Sequence, residues 1–232
     1  MIILHEANGV VAVAKPAGLA TQAAVGIPSV EAWARRALAE KPPLAYLGVP
    51  HRLDRAVSGV LLLAVTPRAA RQLSRQFERR EVQKTYLAVV TPPPDVEQFS
   101  AGSAEWRDYV AKIPDEPRGR ILATGKGGQE AVTQVRVVHR GDGAGWWLLE
   151  LQPLTGRMHQ LRLQSSARGM PVVGDLLYGG PPLPDGLGGS GDVKSAPILL
   201  HAWKIAYRDP ETGETVEITA PLPTDWPAGA SP

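Results

Sequence analysis

Residues 51–65 hold the most informative stretch of the chain, His51-Arg52-Leu53-Asp54-Arg55-Ala56-Val57-Ser58-Gly59, followed directly by the apolar run Val60-Leu61-Leu62-Leu63-Ala64-Val65. The run is short, continuous and rich in branched side chains, which predicts a buried strand. Just before it, Asp54 lies between two arginines, and opposite charges within reach favour the ionised form of a carboxylate. An ionised aspartate can serve as a nucleophile or electrostatic stabiliser toward the anomeric carbon of a sugar. The alternative is a structural ion pair, since such pairs also perturb pKa values.

The rest of the chain alternates apolar segments with turns, and few helices separate neighbouring strands. Strands joined by turns favour antiparallel pairing. We predict strands at 10–14, 60–65, 86–90, 131–138, 146–151 and 199–207, and helices at 29–41, 69–80 and 159–168. These elements predict one α+β domain spanning residues 1–232, with a mixed, mainly antiparallel sheet flanked by helices.

A glycine- and proline-rich stretch at 179–191 is predicted to be a mobile surface loop, because only about forty residues follow it, too few for another domain. Within it, Gly186-Leu187-Gly188-Gly189-Ser190-Gly191 matches the G-x-G-x-x-G pattern of dinucleotide binding. That pattern needs a strand before it and a helix after it, whereas here a proline-rich turn precedes it and a proline soon follows. No nucleotide cofactor is therefore predicted.

Composition restricts the class of protein without identifying a function. The 232 residues are 44% hydrophobic and include no cysteine, which excludes disulfides and thiolate metal sites and favours the cytoplasm. No apolar run approaches the roughly 18 residues of a membrane helix, and the first residues do not have the pattern of a signal peptide. The five histidines lack the spacing of metal ligands, so no metal is predicted. We expect a soluble monomer that does not associate with membranes.

Positive charge is concentrated between Arg68 and Lys84, although the whole chain carries a formal net charge of only +2. Arg68, Arg71, Arg75 and Arg79 recur at three- and four-residue steps, so a helix would align them in one stripe. A nucleic-acid backbone can lie along such a stripe. The alternative is an ordinary solvated helix face.

Further segments, read in order with residues 51–59, have the signatures of one known family. They are Val11–Leu19, Lys84–Val90, Leu154–Arg162, Gly169–Gly179, Leu199–Ala202 and Thr219–Pro223. Together with the His51-Arg52-Leu53-Asp54 motif they resemble the RluA family of pseudouridine synthases. The resemblance extends from Ile3 to Trp226 and implies the pseudouridine synthase fold.

The resemblance implies an isomerase that converts specific uridines of tRNA or ribosomal RNA to pseudouridine. No cofactor is implied, because the reaction neither oxidises nor hydrolyses its substrate. Asp54 would be the catalytic carboxylate, acting on the ribose at or beside the anomeric carbon. Arg162 would pair with Asp54, and Tyr86 would stack on the uracil and assist removal of the proton from its carbon 5. Arg52 would fill the gap left when the uridine is flipped out of the RNA.

A second group of residues is expected to support the site or to contact RNA. The group consists of Lys15, Arg52, Arg55, Arg71, Arg75, Arg79, Arg157, His159 and Gln160. Simpler interpretations exist for two catalytic candidates: Arg162 as a surface phosphate contact, and Tyr86 as a core tyrosine. Because Asp54 lies close to the first residue, we expect no accessory RNA-binding domain ahead of the catalytic one. Recognition would then fall to the catalytic domain, which suits an RNA stem-loop.

Three positions depart from the family pattern by losing a polar side chain. Val57 stands where threonine is usual, Met158 where threonine or serine is usual, and Met170 where histidine is frequent. Lost hydrogen bonds around the site would alter rate and substrate choice more than the type of reaction. Two other functions stay open: a catalytically silent RNA-binding protein with the same fold, and a sugar hydrolase that uses Asp54. The hydrolase would need a second carboxylate roughly 5 to 9.5 Å away, and no motif supplies one.

Overall fold

The computed structural model describes residues 1–38, 46–96, 102–141, 145–183, 196–224, 226–227, 229–230 and 232. The chain forms two compact units. Unit 1 consists of Met1–Lys84 and Ala202–Pro223, and unit 2 consists of Thr85–His201 and Thr224–Pro232. The single domain expected from the sequence stays a prediction.

Unit 1 contains a sheet built around the strand that follows Asp54. Its strands are β1 (Ile2–Ala7), β2 (Val10–Lys15), β3 (Ser58–Ala64), β9 (Leu200–Arg208) and β10 (Thr215–Thr219), and its helices are α1 (Val30–Ala37) and α2 (Pro67–Glu78). The order β1-β2-β3-β9 places β3 inside the sheet, and β10 pairs with β9. The pairs β1–β2, β2–β3 and β9–β10 are antiparallel.

The core of unit 1 explains the apolar run of the sequence. Every residue of β3 is buried, and a strand buried on both faces loses the alternation of polar and apolar residues. Thr66 is the N-cap of helix α2, and its hydroxyl accepts a hydrogen bond from the amide of Ala69 (3.1 Å). The buried face of α2 includes Leu73 and Gln76. The side-chain amide of Gln76 donates to the carbonyl of Arg208 (2.8 Å) and accepts from the amide of Arg208 (2.7 Å), which ties the helix to β9.

Unit 2 contains a second run of antiparallel strands and one α-helix among its described residues. The elements are β4 (Gln83–Val90), β5 (Ser103–Lys112), β6 (Gly119–Leu122), β7 (Gln129–Arg140), β8 (Trp147–Pro153), α3 (Gln160–Ser166) and a 3₁₀ turn (Leu176–Tyr178). The strand order is β4-β8-β7-β5-β6, and the four neighbouring pairs are antiparallel. Strand β4 enters unit 2 at Thr85, and β9 enters unit 1 at Ala202.

The mainly antiparallel sheet with few helices is confirmed. The six predicted strands correspond to β2, β3, β4, β7, β8 and β9, and the three predicted helices to α1, α2 and α3, whereas β1, β5, β6 and β10 were not predicted. Helix α1 ends at Ala37, earlier than expected. Residues 39–41 and most of the predicted surface loop, including 186–191, lie outside the described residues. Within the part of the chain that the structure describes, no helix is long and apolar enough to cross a membrane.

Gly59 is a position where β3 requires glycine. Its φ of +122° lies in a region that other residues rarely adopt, and a β-carbon there would lie 2.2 Å from the carbonyl oxygen and 2.5 Å from the nitrogen of Ala202. Both neighbouring atoms belong to the backbone of β9, so neither can rotate away. The Ser-Gly end of the motif therefore permits the close approach of β3 and β9.

We predict that Gly59→Ala lowers the free energy of unfolding by at least about 3 kcal/mol, because it combines a strained φ with a backbone clash. Urea unfolding of the purified protein measures the change, and recovery of the variant only as insoluble protein would be the extreme form of the same result. The matched control is Gly127→Ala, at a φ of +79° with nothing within 4 Å. The control should lose only about 1–2 kcal/mol. Equal losses in the two variants would contradict the proposed close approach.

Candidate active site

The register of β2 and β3 brings two loops together at one end of unit 1. Lys15, the last residue of β2, is paired with Gly59 near the start of β3. The loop that follows Lys15 therefore lies beside the loop that carries Asp54. The amide of Gly18 donates to the carbonyl of Arg55 (2.8 Å), and Nε of Arg55 donates to the carbonyl of Gly18 (2.8 Å). These two hydrogen bonds join the loops immediately after Asp54.

Lys15 is a buried lysine, only 2% exposed. Its Nζ donates to the carbonyls of Leu19 (2.7 Å), Pro16 (2.9 Å) and Arg55 (3.3 Å). Burial, opposed by the charge of Asp54 and reinforced by the charge of Arg55, lowers the pKa of Lys15 to about 7. The three carbonyls also oppose this shift, because an ammonium group has three donors and a neutral amine only two. The geometry gives Lys15 the role of holding the loops together rather than of direct RNA contact.

Thr21 fixes the residue that precedes Asp54. It is 3% exposed, and its hydroxyl donates to the carbonyl of Leu53 (2.9 Å) and accepts from the amide of Leu53 (3.1 Å). On the other side, the amide of Val57 donates to the carbonyl of Asp54 (3.1 Å) and closes a turn. The backbone is thus held on both sides of Asp54, as preorganisation of a catalytic group requires.

His51 anchors the start of the motif to the core of unit 1. Its Nε2 accepts from the amide of Leu62 in β3 (2.9 Å), and its ring stacks on Phe77 of α2 with centroids 4.6 Å apart. Burial, and to a smaller extent the charge of Lys84, lowers the pKa of His51 to about 3. Because Nε2 is an acceptor, the neutral ring carries its proton on Nδ1. His51 is therefore a structural acceptor and too weak a base to take up a proton near neutral pH.

The charged residues predicted around the motif are accessible from solvent. Asp54 is half-buried, and Arg52 and Arg55 on either side of it are exposed. The predicted arginine stripe also faces solvent, with members in α2 and at its last turn. Its exposed members are Arg68, Arg71, Arg75 and Arg79.

In unit 2, the segment before α3 is held by a buried network of polar side chains. Gln160, 4% exposed, accepts at Oε1 from the hydroxyl of Thr155 (2.7 Å) and from the amide of Arg157 (3.0 Å). Its Nε2 donates to the carbonyl of Val132 (3.1 Å) and to the hydroxyl of Thr133 (2.9 Å). The side-chain amide of Gln160 is thus engaged inside the protein, so the geometry favours support of this segment over direct RNA contact.

Gln164 continues this network one helical turn later. Its Oε1 accepts from the hydroxyl of Thr133 (2.6 Å), and its Nε2 lies 2.8 Å from Oδ2 of Asp108 and 3.2 Å from the carbonyl oxygens of Trp106 and Ala131. Gln160 and Gln164 together fasten α3 to the strands of unit 2. Buried amides of this kind stabilise a structure only when their partners are present.

Arg162 forms a buried ion pair in unit 2. Its Nε and Nη2 donate to the two carboxylate oxygens of Asp175, each at 2.7 Å, with side chains only 7% and 1% exposed. The guanidinium carbon also lies 5.0 Å from the centroid of the Tyr178 ring. This burial excludes the interpretation of Arg162 as a surface phosphate contact. The predicted pairing of Arg162 with Asp54 joins residues of different units and stays a prediction.

The remaining candidates of unit 2 are partly exposed. Tyr86 is a half-buried residue of β4. Arg157 is half-buried, and its Nε donates to the carbonyl of Glu130 (2.9 Å). His159 has a left-handed backbone with φ +50°, and its Nδ1 lies 2.7 Å from the hydroxyl of Tyr178. The roles of these residues toward RNA stay predictions.

Sequence reasoning missed several residues that hold the candidates in place. Asp175 and Tyr178 lie within the family-like segment 169–179, but nothing in the sequence pairs them with Arg162 and His159. Thr21 is one threonine in a polar and alanine-rich loop, without a motif. Each supports its neighbour through contacts that only the folded chain creates.

The chain is similar to proteins of one family over most of its length. A family model described as RNA pseudouridylate synthase matches residues 9–167. This range includes Asp54, Tyr86 and Arg162, the three residues predicted to be catalytic, and Lys15, predicted to lie beside them.

Two bacterial relatives illustrate the similarity. The chain is 35% identical over 234 residues to the ribosomal large subunit pseudouridine synthase D of Neisseria meningitidis serogroup A, which covers 96% of the chain and 58% of the relative. It is 32% identical over 227 residues to the ribosomal large subunit pseudouridine synthase C of Pasteurella multocida, which covers 95% of the chain and 64% of the relative. The chain thus spans less than two thirds of the length of these relatives.

Solved structures of human proteins share the fold. Human RNA Pseudouridylate Synthase Domain Containing 1 has a TM-score of 0.71 and 27% identity, over 95% of this chain and 83% of that one. Human RNA Pseudouridylate Synthase Domain Containing 4 has a TM-score of 0.73 and 24% identity, over 97% of this chain and 89% of that one. The pseudouridine synthase fold expected from the sequence is confirmed.

We predict that Thr21→Val destabilises the protein by about 1–3 kcal/mol, because it keeps the shape of the side chain but leaves the amide and carbonyl of Leu53 buried without their partner. Urea unfolding provides the measurement. Thr21→Ser is the matched control, because it keeps the hydroxyl and loses one methyl group, worth about 0.8 kcal/mol. If the serine variant were less stable than the valine variant, the hydroxyl would not be what anchors Leu53.

We also predict that His51 contributes to the pH dependence of stability. Its pKa is lowered to about 3 in the folded protein, against about 6.5 in an unfolded chain. Between these values the unfolded chain binds a proton that the folded protein does not, so this contribution to stability falls as the pH decreases, by up to about 1.4 kcal/mol per pH unit.

The measurement is urea unfolding of the wild type and of His51→Gln between about pH 4 and about pH 7. Glutamine can still accept a hydrogen bond from the amide of Leu62 but does not titrate, so its stability should change less with pH. His139→Gln, at an exposed histidine, is the control and should follow the wild type. If the free energies of unfolding of the wild type and of His51→Gln changed equally with pH, the pKa of His51 would be the same in the folded and the unfolded protein.

Proposed function

Because the chain belongs to the RNA pseudouridylate synthase family, we propose that it converts uridines of RNA to pseudouridine, with Asp54 as the catalytic carboxylate. The observation that carries this proposal is the support around Asp54. A half-buried carboxylate lies in a loop whose backbone is tied to Lys15, Gly18 and Thr21. A carboxylate needed only for a surface ion pair would not require such fixed backbone on both sides.

The reaction is an isomerisation, so its atoms balance without another reactant. The bond between the ribose anomeric carbon and N1 of uracil breaks, and a bond between the same ribose carbon and C5 of uracil forms. C5 loses a proton, and N1 gains one. Asp54 acts on the ribose, either by attack at the anomeric carbon or by removal of the proton beside it. In both routes the carboxylate must be ionised and positioned before the base turns.

Two residues of unit 2 are proposed to assist. Tyr86 stacks on the uracil and helps to remove the proton from C5. Arg162 stabilises the ionised Asp54, and the bidentate contact with Asp175 fixes the orientation of its guanidinium group. Breaking a buried pair of this kind by removing one partner typically costs about 3–5 kcal/mol, so Asp175 would be needed for both the stability and the orientation of Arg162.

RNA binding is proposed to involve the exposed arginines of unit 1. Arg52 fills the space left by the flipped uridine, a step that costs a few kcal/mol in the RNA. Arg55 and the stripe of α2 contact phosphates, and Arg157 and His159 contribute from unit 2. The names of the bacterial relatives make large-subunit ribosomal RNA the first RNA to test, with tRNA as the second. A monomer located in the cytoplasm stays our expectation.

We predict that Asp54→Asn leaves folding and RNA affinity nearly unchanged and abolishes pseudouridine formation. The assay incubates an unmodified transcript of large-subunit ribosomal RNA, or a pool of unmodified tRNA transcripts, with the purified protein and detects pseudouridine and free uracil. Pseudouridine made by the asparagine variant would contradict the assignment of Asp54. Free uracil made by the wild type would indicate a hydrolase. RNA binding by the wild type without either product would indicate a silent RNA-binding protein.

We predict that changing Arg71, Arg75 and Arg79 together to glutamine weakens RNA binding and flattens its salt dependence. Each phosphate contact releases counterions and adds roughly 0.7 to 0.9 to the slope of log affinity against log salt concentration. Filter binding at several salt concentrations measures the slope. The matched control changes three exposed arginines that are not members of the stripe, Arg36, Arg118 and Arg120. If both triple variants kept the wild-type slope, the stripe would be a solvated helix face.

A further inference from the structure

The loop 22–28 of unit 1 exposes apolar side chains next to the candidate active site. All seven residues, Gln22-Ala23-Ala24-Val25-Gly26-Ile27-Pro28, are exposed and none is charged. Val25 is fully exposed, and Ile27 is 50% exposed. Single exposed apolar residues are common on protein surfaces. Two of them at the tip of one uncharged loop suggest that the tip is covered when the protein acts.

The loop is ordered by hydrogen bonds at both of its ends. Ala20 and Ser29 form a parallel bridge, the amide of Val30 donates to the carbonyl of Ala20 (2.9 Å), and the amide of Glu31 donates to the carbonyl of Thr21 (3.1 Å). Within the loop, the amide of Ile27 donates to the carbonyl of Ala24 (3.1 Å). The apolar tip is therefore presented by a closed loop with a defined shape, and its contacts require little further ordering.

The same loop is connected to the segment that carries Asp54. Thr21, at its base, makes two hydrogen bonds to the backbone of Leu53, which lies between Arg52 and Asp54. Val25 follows Thr21 by four residues, so their α-carbons are at most about 14 Å apart. The base of the loop is therefore anchored beside the segment that would receive the uridine, and the tip extends at most about 14 Å from that anchor.

We propose that Val25 and Ile27 form an apolar contact with bases next to the target uridine. This inference rests on the proposed function and specifies how the RNA is held at that site. When one base is flipped out, its neighbours lose a stacking partner and expose apolar faces, on which aliphatic side chains pack or between which they wedge. The exposed Arg55 on the adjacent segment supplies charge for the phosphates, while the uncharged tip contacts the bases.

The test compares Val25→Ser/Ile27→Ser with the wild type on an unmodified transcript of large-subunit ribosomal RNA and on tRNA transcripts. The double variant should bind the substrate RNA roughly tenfold more weakly and show a KM higher by a similar factor. The slope of log affinity against log salt should stay that of the wild type, because an apolar contact releases no counterions. Unfolding in urea should be unchanged. The matched control is Ile2→Ser/Val96→Ser, at residues 61% and 50% exposed, and it should bind RNA like the wild type.

Other results would overturn the inference. If the double variant kept the RNA affinity and KM of the wild type, and the wild type still made pseudouridine, the apolar contact would be excluded and the proposed function would stand. Weaker binding with a flatter salt slope would mean that the change acts through phosphate contacts of the neighbouring arginines. Self-association of the wild type in sedimentation that the double variant loses, with unchanged RNA affinity, would assign the tip to a second copy of the chain. A wild type that neither binds RNA nor makes pseudouridine would overturn both proposals.

Discussion

The carbonyl group of Arg55 accepts hydrogen bonds from the amide of Gly18 and from Nζ of Lys15, and the candidate site of unit 1 depends on this junction. A catalytic carboxylate must reach its substrate, so Asp54 itself cannot be held by burial among apolar side chains, although its neighbours Leu53, Ala56 and Val57 are buried. It is fixed through its backbone instead. The donors are themselves held by the register of β2 and β3, in which Lys15 is paired with Gly59. The register of β2 and β3 thus also determines the geometry of the site.

Unit 2 positions its candidates in the same way, with buried polar side chains in place of apolar ones. Gln160 and Gln164 lie on the inner face of α3, where a helix of this kind usually carries leucine or alanine. An amide buried without partners costs free energy, whereas these two are bonded to strand carbonyls and hydroxyls. Such bonds have defined directions, and apolar contacts do not. The helix that carries Arg162 is therefore held in one orientation as well as at one distance from the strands.

Much of the fold could be predicted because its central strands carry strong local signals. The apolar run of β3 and the valines of β2 predict buried strands, and the pattern of α2 predicts a helix, although its start was placed at residue 69 rather than at Pro67. The missed strands lack such signals. In β5, Trp106 and Val110 are the buried residues, and the charged Arg107 is paired with Glu105 (2.8 Å) and with Glu130 of β7 (2.5 Å). The pair with Glu130 exists only once β5 and β7 are in register, so no local pattern could reveal it.

The candidate site shows the same division between local and long-range information. Asp54, Tyr86 and Arg162 were found because they lie in motifs that resemble a family. Thr21 is separated from Leu53 by 32 positions, and no motif connects the two residues. Asp175 lies 13 positions from Arg162 and has no local pattern that identifies it as a partner. A motif identifies the residues that act, whereas the residues that hold them follow from the tertiary structure.

The surroundings of Val57, Met158 and Met170 in the folded chain change the interpretation of these three departures from the family pattern. Val57 is 3% exposed and Met170 is fully buried, so both side chains fill core space where an apolar group is favourable. At Val57, the group that closes the turn with Asp54 is the backbone amide, which any residue except proline would supply. Met158 is 36% exposed and faces solvent before α3. The loss of polar side chains therefore changes packing at two positions and surface chemistry at the third. The hydrogen bonds that hold the backbone around Asp54 do not depend on any of these three side chains.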